Sequence, residues 1–435
     1  MSSFTQHIHR FTNLKLSGGA LYYAIFVSFV VFLFCGFIML SAYLRSTLTQ
    51  RMDIQNALQE NAQNMVTASV YGDIDLRAYP QAMSSVFENC SDTSSLLTSE
   101  RWGAFQLTRA RLCWRKDTVM SVAMWGNSFM GDSLIAFYLQ EKDNYITLSG
   151  TSRIRGNCYL PKLGYKNSLS TINNKEIKPV DKGFIKTSAR DLPEVVAYFK
   201  SQTFQDMLLA NISGNNVLSE SYLYTETDSL YNSFSKSTIC IFNTEKAVKI
   251  TSKIEDNVKI ISSKPLIVSN KARLNHVLIY APVIVVEKGF KGSVQLFATD
   301  SLCIEENCAL TFPSFAALIP HADTASAKRR HYLIVNTNAT VSGGLMILSD
   351  GLTNCQLTIM DKACVFGQVY SNGNMKLKGN IQGSVYASYL YSESTYGNIG
   401  SMLNNGVIES TQIPTGFVFP CLLPSHNKKI IKWLQ

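Results

Sequence analysis

The residues of this chain that are able to do chemistry are few and widely spaced. Its six histidines are His7, His9, His276, His321, His331 and His426. None belongs to an HExxH motif or an i, i+4 pair, the spacings that aim two imidazoles at one metal. His321 and Asp323, with Lys328, Arg329, Arg330 and His331 close behind, form the densest polar cluster. That composition suits an anion or metal site, but a solvated loop is the expectation. The ten cysteines are Cys35, Cys90, Cys113, Cys158, Cys240, Cys303, Cys308, Cys355, Cys364 and Cys421. No pair has CxxC spacing and no histidine cluster accompanies them, which argues against a zinc site. Cys35 falls in an apolar stretch. The other nine are expected mainly as small buried residues, because a disulfide framework would leave one over.

Carboxylates are the remaining route to catalysis. A glycan hydrolase needs a pair of acids on one surface. Glu255, Asp256, Glu287, Asp300, Glu305 and Glu306 fall mainly in turns between apolar strands, and residues 367–388 hold no acid at all. GxSxG, P-loop and complete dinucleotide motifs are absent from the sequence. The expectation is a non-enzymatic protein, with no catalytic, cofactor-binding or metal-ligating residue and no cofactor. Tyr370, Tyr386, Tyr389 and Tyr391 are candidates for an aromatic stripe that contacts sugar or a partner. Stacking ladders on an exposed β-face are the favoured alternative.

These residues are positioned by two kinds of element. Residues 20–44 contain 25 consecutive positions without Asp, Glu or Lys, and Arg45 follows them. As a helix they would extend roughly 37 Å, more than the ~30 Å hydrocarbon core of a bilayer. A removable leader has an apolar region of only about 7–15 residues, so a transmembrane helix is expected. Arg10 and Lys15 before it and Arg45 and Arg51 after it leave the positive-inside count nearly tied. A short cytoplasmic tail (1–19) and a large extracytoplasmic body are the expected arrangement. Residues 45–75 continue as a helical stalk. The body is polar through Ser, Asn, Thr and Tyr, since only 16% of the chain is charged. A net charge of +9 without a dense basic block argues against nucleic acid and favours anionic surfaces such as lipid head groups or acidic polysaccharides.

Residues 76–246 read as β-rich, with short strands near 105–107, 121–125, 134–138 and 145–148. Residues 192–209 read as an inserted amphipathic helix anchored by Val195, Val196, Phe199 and Phe204. Residues 211–235 read as a loop. From 247 to 425 apolar pairs recur: Val258/Ile260, Leu266/Val268 and Leu274 step by eight residues. Asn-Gly and Asp-Gly hairpin turns are scarce, so a parallel solenoid fits better than hairpins. The repeat becomes explicit where Gly367-Gln-Val-Tyr370 returns as Gly383-Ser-Val-Tyr386 sixteen residues later. An echo stands upstream, with Leu148, Ile154, Gly156 and Tyr159 matching Leu377, Ile381, Gly383 and Tyr386. Strands on both sides of the inserted helix are therefore expected in one solenoid. Residues 414–424 and the basic tail 426–435 are expected to cap its C-terminal end.

The G-x-V-Y and L-x-G-x-I-x-G pattern over 333–388 resembles the bactofilin-like, polymer-forming β-helix proteins. That resemblance implies a scaffold that self-associates. The run Lys15-Leu-Ser-Gly18-Gly19-Ala20-Leu21, opening straight into an apolar helix, resembles the start of type IV pilin-like and pseudopilin-like subunits. It implies cleavage after Gly18 or Gly19, although Tyr23 or Ala24 stands where those subunits usually carry an acid. The fold expected is mainly β: an N-terminal transmembrane helix, then a right-handed parallel β-helix with an inserted helix. The function expected is a single-pass, membrane-anchored structural protein of the cell envelope, in the inner membrane if the cell is Gram-negative. Residues 20–44 would sit in the bilayer, and its partners would be further copies or envelope assembly components. The alternatives are a minor pilin-like subunit and a protein that binds or cleaves polysaccharide.

Overall fold

The computed structural model describes residues 18–72, 93–129, 134–168, 180–209, 220–223, 229–321, 329–350, 354–394, 397–414 and 416–434. The chain divides into two compact units, 1–61 and 62–435. The described part of the first unit is helical throughout, within an element that runs Gly18–Tyr71. Its apolar stretch is long enough to cross a bilayer and is uncovered by protein. Phe32 is 73% exposed and Met39 78%. Towards the C-terminal end of the helix apolar side chains are buried, Leu58 in the first unit and Ala62, Met65, Val66 and Val70 in the second.

The second unit is built on a parallel β-solenoid of about 11 turns. Each turn has three faces. One turn contributes Lys253–Asp256 to face one, Val258–Ser262 to face two and Leu266–Val268 to face three. The next turn contributes 273–275, 277–281 and 284–286, all inside the single strand Arg273–Val286. This explains the eight-residue step. It measures the turns from face two to three and from three to one, whereas faces one and two join at a kink with no turn between them. Alternation sends every second side chain inward. On face two, Ile241, Ile260, Ile279, Leu296, Ala316, Leu345, Val369, Val385, Phe137 and Cys158 stack in register through the interior. A buried aliphatic side chain contributes about 1.5–3 kcal/mol, so the column is a main source of stability.

That column crosses a chain discontinuity. Val385 is followed in the stack not by a later residue but by Phe137. One turn is composite. Val407–Glu409 supplies its face one, Ile135–Leu139 its face two and Ile146–Ser149 its face three. The upstream echo is thereby borne out. Ile381, Ile408 and Ile154 share one row, and Tyr386, Tyr138 and Tyr159 share another. The terminal turns are therefore built from strands within 134–168 and 180–187, and the chain must return the length of the solenoid before starting its first turns at Glu220–Leu223 and Ser229–Asn232.

A second core lies outside face two. The outward row of Ile261, Tyr280, Phe297, Ala317, Met346, Tyr370, Tyr386 and Tyr138 is covered by two layers. One is a four-stranded antiparallel sheet of Thr93–Trp102, Phe105–Trp114, Asp117–Asn127 and Lys428–Leu434. The other is the returning segment 191–209. Gln295 ties the sheet down, its amide accepting from Ala104 N at 2.7 Å and donating to Trp102 O at 3.0 Å.

Three expectations are corrected. Residues 192–209 are not one helix. Residues 192–196 form neither helix nor strand, Val196 N donating to Leu422 O at 2.8 Å, and only a 3-10 turn at Ala197–Lys200 and the helix Gln202–Leu208 follow. Ser201 interrupts the run because its side chain caps the second helix, accepting from Phe204 N. The tail does not cap an end. Val418, Phe419, Leu422 and Leu423 are buried, Leu422 and Leu423 within the core over face two, and Lys428–Leu434 pairs with Asp117–Asn127. Residues 220–223 and 229–232, expected in a loop, are strands because the parallel strands Ile239–Asn243 and Lys253–Asp256 of the next turn pair with them. Positions 211–219 and 224–228 of that loop lie outside the described residues, as do Cys90 and 322–328.

Candidate functional site

The returning segment leaves a groove of about 1080 Å3 beside the corner between faces two and three. One wall is the solenoid, where Gln140, Ser388, Asn372 and Ser349 follow the face-two strands of successive turns. The other is the segment from Asp191 to Leu209. That segment is held at both ends. Ser188 N donates to Leu160 O at 2.8 Å, Glu141 N to Ala189 O at 3.0 Å and Ala189 N to the Tyr138 hydroxyl at 3.0 Å. Further along, Phe204 packs edge-on against Phe297 at 5.5 Å and Tyr280 at 6.1 Å.

The groove is amphipathic. Leu192, Val195, Phe199, Ile319 and Leu348 give it apolar surface, and Lys142, Asp191, Glu194, Lys200, His321 and Asp350 give it charge of both signs. Lys142 donates to Ser388 Oγ at 2.9 Å, and burial lowers its pKa. Burial pushes the Tyr370 hydroxyl up to about 12, so it stays a neutral donor. Glu194 is held below the usual carboxylate range by its hydrogen bond to Lys200 at 2.8 Å. A general acid at neutral pH needs the opposite shift. Among the described residues no three of His, Cys, Asp and Glu gather as metal ligands would. The arrangement is suited to binding an extended partner with apolar and polar sides.

The candidate residues from the sequence disperse. His331 is buried in the strand Arg330–Val335, its Nδ1 3.1 Å from Thr299 O, so the solvated-loop expectation fails there. The loop's polarity masked the start of a strand whose alternate residues, Leu333 and Val335, enter the core. His276 sits 2.8 Å from Asp256 at a strand corner. Of the turn acids, Glu255 meets Lys253, Glu287 meets Lys249 and Glu306 meets Lys288. The four tyrosines split. Tyr370 and Tyr386 are buried outside face two, where Tyr386, Tyr138 and Tyr159 stack at 5.9 and 5.4 Å. Tyr389 and Tyr391 are on face three. Among the described cysteines no disulfide forms, and Cys158, Cys240, Cys308, Cys355 and Cys421 are buried. The groove itself was invisible in sequence. Its walls come from residues up to about 250 positions apart, and no local motif marks them. No family model, curated protein or solved structure matches this chain.

Proposed function

We propose that this is a single-pass, membrane-anchored structural protein of the cell envelope, with the solenoid body on the extracytoplasmic side and no catalytic role. The observation that carries the reading is the uncovered apolar surface along residues 20–44. Phe, Leu, Ile and Val there are exposed around the whole helix, with Leu21 at 64%, Phe32 at 73% and Ile38 at 63%. A water-soluble protein does not present so long an apolar rod, whereas a bilayer buries it. The solenoid supports a structural role because its stacked turns enclose one hydrophobic core and carry a second, covered one outside face two. Its partners are further copies of the chain or other envelope components.

The reading is tested by alkaline extraction of cell membranes. The full-length protein should stay in the pellet and be released only by detergent. Recovery in the soluble fraction would remove the anchor. Orientation is tested separately by labelling intact cells with a membrane-impermeant maleimide. Labelling that disappears in Cys113→Ser places the body outside, and labelling of Cys113 only after lysis places it inside.

A further inference from the structure

Face three carries a cleft that neither the anchor nor the groove uses. Its volume is about 210 Å3, and its walls include Arg330, Asn354, Asn374, Tyr389 and Asn398. The solenoid register sets them out. Arg330 stands beside Asn354 on adjacent turns. Tyr332, Gln356, Asn374 and Tyr389 form one row over four successive turns, roughly 4.8 Å apart per step. The antiparallel hairpin that pairs Tyr391 with Gly400 and Glu393 with Asn398 supplies the facing wall. The Tyr389 hydroxyl lies against Gly400, where an added Cβ would stand 1.8 Å from it and displace the ring.

Three features select the ligand. The side chains of Asn354, Asn374 and Asn398 are exposed and make no hydrogen bond to another described residue. Each offers a donor and an acceptor, the combination that vicinal hydroxyls require. Half-buried Tyr389 offers a flat apolar body to a sugar ring. Arg330 is exposed and unpaired among the described residues, and its planar fork matches a carboxylate through two hydrogen bonds. The cleft lining contains no carboxylate, and the nearby Glu393 is neutralised by Lys376. A peptide would need an apolar pocket, which this lining lacks.

We propose that the cleft binds a carboxylate-bearing sugar unit of an acidic polysaccharide, with Arg330 on the carboxylate, the asparagines on ring hydroxyls and Tyr389 under the ring. The inference does not depend on the membrane reading, since every residue that lines the cleft belongs to the second unit.

The test is a titration of the full-length protein in detergent with galacturonate oligosaccharides, the neutral galactose oligosaccharides of equal length, and sulfated ones, read by saturation-transfer NMR and calorimetry. The galacturonates should bind, the neutral series about tenfold more weakly, and added salt should narrow that gap. Arg330→Gln should abolish the preference for the acid, and Tyr389→Ala should weaken both series. Asn374→Asp keeps the size of an exposed side chain while adding a repelling charge. It should lower galacturonate binding even if Tyr389→Ala lowers the unfolding temperature. Absence of galacturonate binding, equal binding of the neutral series, tighter binding of the sulfated series, or binding unchanged by Arg330→Gln and Asn374→Asp would each overturn the proposal.

Discussion

Gly383 marks the corner where the kink between faces one and two is tightest. Its φ is +155°, and a Cβ there would stand 1.7 Å from Gly367 O. Gly367 repeats the clash at 2.0 Å from Gly343 O. Gly383→Ala must therefore push stacked backbones apart, and a loss of at least about 1–3 kcal/mol is expected in thermal unfolding. Gly289→Ala provides the contrast. Its φ is +81° but nothing lies within 4 Å, so only the backbone strain of about 1–2 kcal/mol applies. Equal effects of the two substitutions would show that stacking contributes nothing. The same corner explains which repeats the sequence displays. Where glycine occupies it, at Gly343, Gly367, Gly383 and Gly156, the motif is readable. In earlier turns Asp256 and His276 hold positive φ of 69° and 56° through their mutual 2.8 Å contact, and no glycine signals the turn. At the same scale, Cys113 is the thiol to react first among the described cysteines of the body. The Thr118 hydroxyl hydrogen-bonds its sulfur and lowers its pKa, whereas burial raises those of Cys303 and Cys364. Alkylation near neutral pH should show a fast phase that Cys113→Ser removes and Thr118→Val slows.

Among the elements, the composite turn is the one the chain assembles from two distant pieces. Glu409 of one piece meets Arg155 of the next turn at 2.6 Å, with both side chains largely withdrawn from water. Breaking such a pair leaves a half-buried charge, so Glu409→Gln should cost about 1–3 kcal/mol. If the seam is a fold-wide joint, the loss should appear in global unfolding and not only as local exchange around 407–409. Hydrogen exchange separates the two outcomes. The hairpin over face three responds to acid instead. Glu393 is held below the ordinary carboxylate range by Lys376. A carboxylate with a lowered folded pKa contributes stability that is present above the unfolded value and is lost as pH falls through the folded one. Protection factors of the described amides between 391 and 400, taken relative to intrinsic exchange at each pH, should therefore fall as pH drops below about 4, and Glu393→Gln should flatten that dependence. Strand type was legible at this scale because alternation is local, as at Val258/Ile260 and Val369. Segment 192–209 was not. Its apolar spacing fits a helix, yet Val196 N donates to Leu422 O, a partner 226 positions on.

For the molecule as a whole, the order of turns decides which surfaces remain open. Because strands within 134–168 and 180–187 finish the stack, the final turn includes Tyr165–Ser168, Val180–Asp181 and Ile185–Thr187, and the C-terminal tail is engaged elsewhere. Sequence reasoning located the repeats but assigned the cap to the tail, since stacking order depends on pairings such as Val385 with Phe137 that leave no local trace. The final turn is exposed, with Ile185 49% accessible, and it carries Lys166, Lys182 and Lys186. An open parallel edge is a template for a second chain, and lysines are the usual guard against that pairing. Their repulsion fades as salt shortens the Debye length from about 10 Å at 0.1 M to about 3 Å at 1 M. If copies associate through this edge, the detergent-solubilised full-length protein should sediment as a small species at low ionic strength and as larger ones at high salt. Lys166→Thr with Lys186→Thr should give the larger species at low salt as well. A doubly substituted protein whose sedimentation stays unchanged across that range would move self-association to another surface, with the edge at Glu220–Leu223 next to be tested.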